Sequence, residues 1–90
     1  MKWEDLGLVL ASEYRKKIVL ALSEGPKTPK QLSEETGILL PHISSSLRLL
    51  EKNDIVICLT PRLRKGKLYA LTEIGEKISE LISKQGSEHN

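Results

Sequence analysis

Residues Thr28 to Lys52 read TPKQLSEETGILLPHISSSLRLLEK, two helical patterns joined through a glycine. Thr28 suits an N-cap, Pro29 suits the first helical position because its missing N–H costs nothing there, and Gln31 stands where it completes a capping box. Leu32 faces inward, Gly37 can take the left-handed backbone that ends the helix, and Ile38 plugs the turn beyond it. A second helix starts near Leu40 or Pro41 and runs to about Lys52. A short helix and a longer one across a turn of about four residues containing glycine is the pattern of a helix-turn-helix.

The second helix has an unusual composition. With Ile43 at zero and about 100 degrees per residue, Leu40, Leu47 and Leu50 fall within about 60 degrees of it, a core stripe. The far side then carries Pro41, Ser45, Arg48 and Lys52, flanked by Ser44, His42 and Leu49, with Ser46 nearer the core edge. Three consecutive serines cost roughly half a kcal/mol each in helix propensity relative to alanine. Small hydroxyls near the helix start, with positive charge further along, suit a helix that enters the major groove of DNA, where bulky side chains would hold the backbone away. Serine is an unspecific donor or acceptor, so Arg48, able to contact guanine in bidentate fashion, is the better reader.

The flanks fill in the domain. Ser12 caps a helix whose Tyr14, Ile18, Ala21 and Leu22 form one apolar stripe ending at Gly25-Pro26. Val19 and Leu20 lie off that stripe, so this helix has neighbours on more than one side. Beyond Asn53-Asp54, both tolerant of left-handed backbone, IVICLT (55–60) and KLYALT (67–72) predict two strands, broken by Pro61 and Gly66 into a hairpin. Its tip is the acid-free run PRLRKGK, with Arg62, Arg64, Lys65 and Lys67. Thr72 caps a last helix bearing Ile74, Ile78, Leu81 and Ile82. The expected class is mainly α with a small β-hairpin (α+β), in the order α-α-α-β-β-α. An N-terminal segment, residues 1–11, lacks a clear cap and is left structurally open. The domain spans 12–83, with the last helix over 73–84 and a frayed tail over 85–90.

Ninety residues form one domain with a modest core, and a hydrophobic fraction of 39% with 29% charged residues describes a soluble chain. No apolar run approaches a membrane span and the start lacks the plan of a signal peptide, so a cytoplasmic location without membrane contact is expected. A net charge of +2 is too small to indicate nucleic acid by itself; the segregation of charge into the hairpin tip is the informative feature. Cys58 alternates with Val56 and Thr60 and reads as a small half-buried hydrophobe. His42, Cys58 and His89 have no ligand-type spacing, and no phosphate loop, nucleophile elbow or HExxH occurs. Neither a metal, a cofactor nor an enzymatic activity is expected.

The run TPKQLSEETGILLPHISSSLRLLEKNDIV followed by RLRKGKLYALTEIGEKI resembles the winged helix-turn-helix of ArsR-like and MarR-like transcriptional regulators, particularly small archaeal ones, over about Ser12 to Ile82. ISSSLRLLEKNDIV is similar to the segment in which an aliphatic residue and a serine precede two leucines and a short strand, and YALTEIG to the strand that runs into the last helix. The resemblance implies that Pro41 to Lys52 is the recognition helix and that Arg62 to Lys67 is the wing tip, lying along phosphates or the minor groove. Two departures stand out: Asp54 occupies a position where the family usually has glycine, and the cysteine-rich metal motif of metal-sensing members is absent, which argues against metal sensing.

The resulting expectation is a sequence-specific regulator of double-stranded DNA acting as a homodimer. Lys30, Pro41, His42, Ser44, Ser45, Arg48, Lys52, Arg62, Arg64, Lys65 and Lys67 are the DNA-contact candidates. Leu20, Ile74, Ile78, Leu81 and Ile82 are the dimer candidates, with packing inside one subunit as their alternative. A rival is a winged-helix protein-interaction module of a larger assembly. RNA or single-strand binding is disfavoured because aromatics total 3% and none lies on the recognition face to stack with bases. The residues identify no small-molecule effector.

Overall fold

The structure, a computed structural model, describes residues 2–87. Its elements are α1 (Trp3–Leu10), α2 (Glu13–Leu22), α3 (Pro29–Thr36), α4 (Leu40–Lys52), β1 (Val56–Cys58), β2 (Tyr69–Leu71) and α5 (Glu73–Ser87). The expected order is present, and the open N-terminal segment is itself a helix. No side chain caps α1 in the usual way; the Asp5 carboxylate instead accepts the Lys2 backbone N–H at 3.4 Å. Val9 buries fully, and the Arg15 Nε donates to the Leu8 carbonyl at 2.7 Å, joining the end of α1 to α2.

Helix α2 is the hub, packed against α1, α3, α4, α5 and β2, so Ile18 and Val19 on adjacent faces are both fully buried. The reciprocal box of α3 is complete: the Gln31 N–H donates to the Thr28 hydroxyl at 3.2 Å, and the Thr28 N–H donates to the Gln31 side chain at 2.8 Å. Gly37 ends α3 in the left-handed region at φ 77°, and the Ser33 hydroxyl donates to the Ile38 carbonyl across the turn. In α4, Ile43, Leu47 and Leu50 bury as predicted, each contributing about 1.5–3 kcal/mol of hydrophobic stabilisation. Leu40 departs from its expected core place: it is 46% exposed, because it starts the helix where the stripe has emerged beyond its neighbours.

At the end of α4 the Ile55 N–H bonds to the Leu50 carbonyl and the Asp54 N–H to the Glu51 carbonyl, a Schellman pair with Asp54 in the left-handed position at φ 61°. Asp54 thus takes the conformation for which glycine is the usual residue. The strands pair antiparallel with Val56 opposite Leu71, Ile57 opposite Ala70 and Cys58 opposite Tyr69. They are three residues each, shorter than the six-residue runs predicted. Beyond Cys58, the Leu59 N–H still bonds to the Leu68 carbonyl, and then the Thr60 hydroxyl accepts the Leu68 N–H in place of a backbone partner. On the other side of β2, Lys27 and Tyr69 exchange both backbone bonds at 2.9 Å in an isolated bridge.

Thr72 caps α5 by accepting the Gly75 N–H at 3.1 Å. The stripe of α5 is divided in use. Ile78 and Ile82 are 0% and 5% exposed within the subunit's own core, so as dimer candidates they have no surface to offer; Ile74 and Leu81 are half-buried. The helix continues to Ser87, past the expected boundary at 84; of the tail expected to fray, residues 88–90 lie outside the described residues.

Candidate nucleic-acid interface

The first turns of the helices separate them into two groups. Acidic residues stand in the first turn of α1 (Glu4, Asp5), α2 (Glu13) and α5 (Glu73, Glu76), where they neutralise the positive end of the helix. The first turns of α3 and α4 contain none. The two helices of the helix-turn-helix therefore carry no acidic side chain of their own at their positive ends, and Lys30 is exposed on the first turn of α3.

Along α4, Pro41, His42, Ser44, Ser45, Arg48 and Lys52 are all exposed, whereas Ser46 is buried. The Ser45 hydroxyl donates to the His42 carbonyl at 3.2 Å, which commits its proton and leaves its lone pairs to accept. The His42 ring rests beside Tyr14 of α2, with centroids 5.1 Å apart and planes at 33°. The start of α4 is thus bordered by an aromatic pair, while Ser44 and Arg48 turn to the other side.

That other side faces the wing, the hairpin formed by β1 and β2 with its connecting loop. A cleft of about 500 Å³ lies between them, lined from α4 by Ser44, Leu47, Arg48 and Glu51, from the start of α3 by Pro29, and from the wing by Arg64, Lys67 and Tyr69. Three cations thus meet one carboxylate. Burial, followed by the charges of Cys58 and Glu51 and opposed by Arg48, raises the Tyr69 phenol above its ordinary range. At the tip, Gly66 turns the chain at φ 66°, and Arg62, Arg64 and Lys65 are exposed.

The structure therefore brings four of the predicted residues, Ser44, Arg48, Arg64 and Lys67, to one cleft. Lys30, Pro41, His42, Ser45, Lys52, Arg62 and Lys65 are exposed outside it. Tyr69 and Glu51 were not among the predicted residues, yet the sequence carried a signal for each. Alternation in KLY puts Tyr69 on the face of Lys67, and Glu51 follows Ser44 and Arg48 at helical spacing. Of the dimer candidates, Leu20 is half-buried and lies in an open groove between α2 and α3 with Lys17, Ala21, Glu24, Glu35 and Thr36.

Residues 12–57, just over half the chain, match the arsR family of bacterial regulatory proteins. Among solved structures, the transcriptional repressor BigR from Xylella fastidiosa is similar at 30% identity and a TM-score of 0.76, over 90% of this chain and 79% of that one. The reduced form of the transcriptional regulator YodB from B. subtilis is similar at 26% identity and a TM-score of 0.74, over 88% of this chain and 79% of that one. NadR in complex with 4-hydroxyphenylacetate is similar at 27% identity and a TM-score of 0.81; the match covers 96% of this chain but 62% of NadR. ZitR from Lactococcus lactis, at 15% identity and a TM-score of 0.78, shares the fold, and this chain spans 60% of its length. No curated protein matches by sequence.

Proposed function

Because the chain belongs to the ArsR family of bacterial regulatory proteins, and is a DNA-binding transcriptional regulator of the winged-helix type, we propose that it binds as a homodimer to a specific duplex site. Arg48, with Ser44 and Ser45 beside it, reads base edges in the major groove, and Pro41 and His42 border the entry of α4. Lys30 and the first turn of α3 take a phosphate; Lys52, Arg62, Arg64, Lys65 and Lys67 hold the flanking backbone. No step of chemistry is involved.

One observation carries this reading: the two helices whose first turns lack acid open beside a cleft in which Arg48, Arg64 and Lys67 outnumber Glu51. A polyanion is the partner that such a surface fits. The second subunit is supported by apolar surface outside the core. Trp3 is 79% exposed and Leu10 38%, and Leu20, Ile74 and Leu81 are only half-buried.

Two subunits address half-sites about one helical turn apart, which makes the site pseudo-palindromic. If each neutralises about four phosphates, the affinity falls with salt at a log-log slope near −7. Titration of duplex DNA at several salt concentrations, with single-stranded DNA and RNA as competitors, tests the reading. A slope near zero, or equal competition by RNA, overturns it. In the protein-interaction alternative, Arg64→Ala and Lys65→Ala leave duplex affinity unchanged; a clear loss excludes it.

A further inference from the structure

Among the described residues Lys27 is the one buried cation: its side chain is 11% exposed and its ammonium donates to Glu24 at 2.6 Å and Glu35 at 2.5 Å. Glu24 follows the end of α2, Glu35 stands in the last turn of α3, and Lys27 immediately precedes the N-cap of α3. The same residue gives both backbone groups to Tyr69 of β2. One residue therefore joins α2, α3 and the wing.

A hairpin of two three-residue strands is marginal alone, and a third strand partner is what usually steadies one. The Lys27 bridge supplies such a partner on the outer edge of β2, at the residue that also lines the cleft with Arg48, Arg64 and Lys67. We propose that Lys27 is a positioning residue for DNA binding: its ammonium, clasped by Glu24 and Glu35, fixes the backbone bridge that sets the basic wing at its angle to α4. The clasp touches no DNA. It acts by sparing the wing the loss of conformational freedom on binding, so that the attraction of its cations is not offset by ordering. The carboxylates are 71% and 49% exposed, so removing the ammonium leaves them solvated, and the effect falls on wing geometry.

The inference rests on the reading that the wing contacts DNA, and the test separates the two. In the full chain, Lys27→Met keeps the aliphatic stem and removes the charge, and Lys27→Arg keeps the charge. Amide exchange without DNA is measured for Tyr69, whose N–H bonds to the Lys27 carbonyl, with the Leu50 amide as a core reference. Duplex affinity is then measured in a cycle with Arg64→Ala. The expected result has three parts: Tyr69 exchanges about tenfold faster in Lys27→Met with Leu50 unchanged, as local opening requires; Lys27→Arg restores protection; and Arg64→Ala costs clearly less affinity in the Lys27→Met background than in wild type. A merely structural lysine lowers stability yet leaves the cost of Arg64→Ala the same in both backgrounds, and that result overturns the proposal. If Arg64→Ala costs nothing in wild type, the wing–DNA reading fails, and Tyr69 exchange still decides whether the clasp fixes the wing. Glu35→Gln repeats the test should Lys27→Met not fold; unchanged Tyr69 exchange there counts against the clasp.

Discussion

Replacing Gly75 by alanine puts a methyl group where the fold has no room. A Cβ built there stands 2.2 Å from the Ile55 carbonyl oxygen and 3.1 and 3.2 Å from the Leu71 side chain, whereas real Cβ contacts essentially never fall below 3.0 Å. The carbonyl is not free to retreat, because it accepts the Thr72 N–H at 3.0 Å. Thr72 in turn caps α5 through the Gly75 N–H and donates its hydroxyl to the Asp54 carbonyl at 2.7 Å. Relief of about an ångström must therefore come from sliding α5 away from the corner between α4 and β1. Overpacking costs about 1–3 kcal/mol and the loosened cap about 1 kcal/mol, against a gain of about 1 kcal/mol from helix propensity. A net loss of about 2 kcal/mol remains, which for a domain of this size lowers the Tm by about 8–16 °C. Thermal and urea unfolding at matched protein concentration measure it. Gly7→Ala is the control: Gly7 has nothing within 4 Å of its Cβ position, so the same change there raises stability by up to about 1 kcal/mol. A Gly75→Ala protein as stable as wild type refutes the argument.

Asp54→Gly relieves a left-handed residue at the end of α4, so the urea midpoint rises by the equivalent of about 1 kcal/mol; no change would mean that Asp54 tolerates φ 61° without cost. Glu51→Gln removes the one carboxylate of the cleft and tightens duplex binding about two- to fivefold at low salt, an effect that shrinks as salt screens it. Weaker binding would show that Glu51 instead holds a cation in place. The hydrogen bond and charge of Lys27 hold the Glu24 carboxyl below its ordinary value, so its stabilisation is present above the usual carboxylate range and is lost as pH falls through the lowered value. The hydrogen bonds it donates to Glu24 and Glu35 raise the Lys27 ammonium, whose contribution is present through neutral pH and is lost as pH rises through the raised value. The Tm advantage of wild type over Lys27→Met is therefore largest near neutrality and smaller at either extreme; a pH-independent difference contradicts this.

Much of the fold was legible because its signals are local. Thr28, Pro29, Gln31 and Gly37 define α3 within ten residues: Thr28, Gln31 and Gly37 act through bonds to their own helix and Pro29 through its fixed backbone angle. Asn53-Asp54 announced the left-handed turn that Asp54 makes. The exposed face of α4 followed from angular spacing alone, since Ile43, Leu47 and Leu50 fix its rotation. What escaped depends on neighbours distant in sequence. Whether Leu40 buries is decided by where the adjoining helices stop, and whether Ile78 and Ile82 face a partner or the core is decided by α2. Lys27 gave no periodic signal: Glu24 lies only three residues away, but Glu35 belongs to α3 and Tyr69 to β2, and the fold alone brings the three together. The α1 start was hidden for another reason: Asp5 bonds back to the Lys2 N–H with no capping side chain at the boundary.

The central claim is that the exposed side of α4 reads bases while the wing holds phosphates. Selection of bound duplexes from a random pool, run in parallel with wild type and Arg48→Ala, addresses it most directly. The account predicts that wild type enriches a two-fold symmetric site with half-sites about one helical turn apart, and that Arg48→Ala still binds DNA but loses preference at one position in each half-site. A wild-type pool with no enriched sequence, or one whose preferences Arg48→Ala leaves untouched, contradicts it.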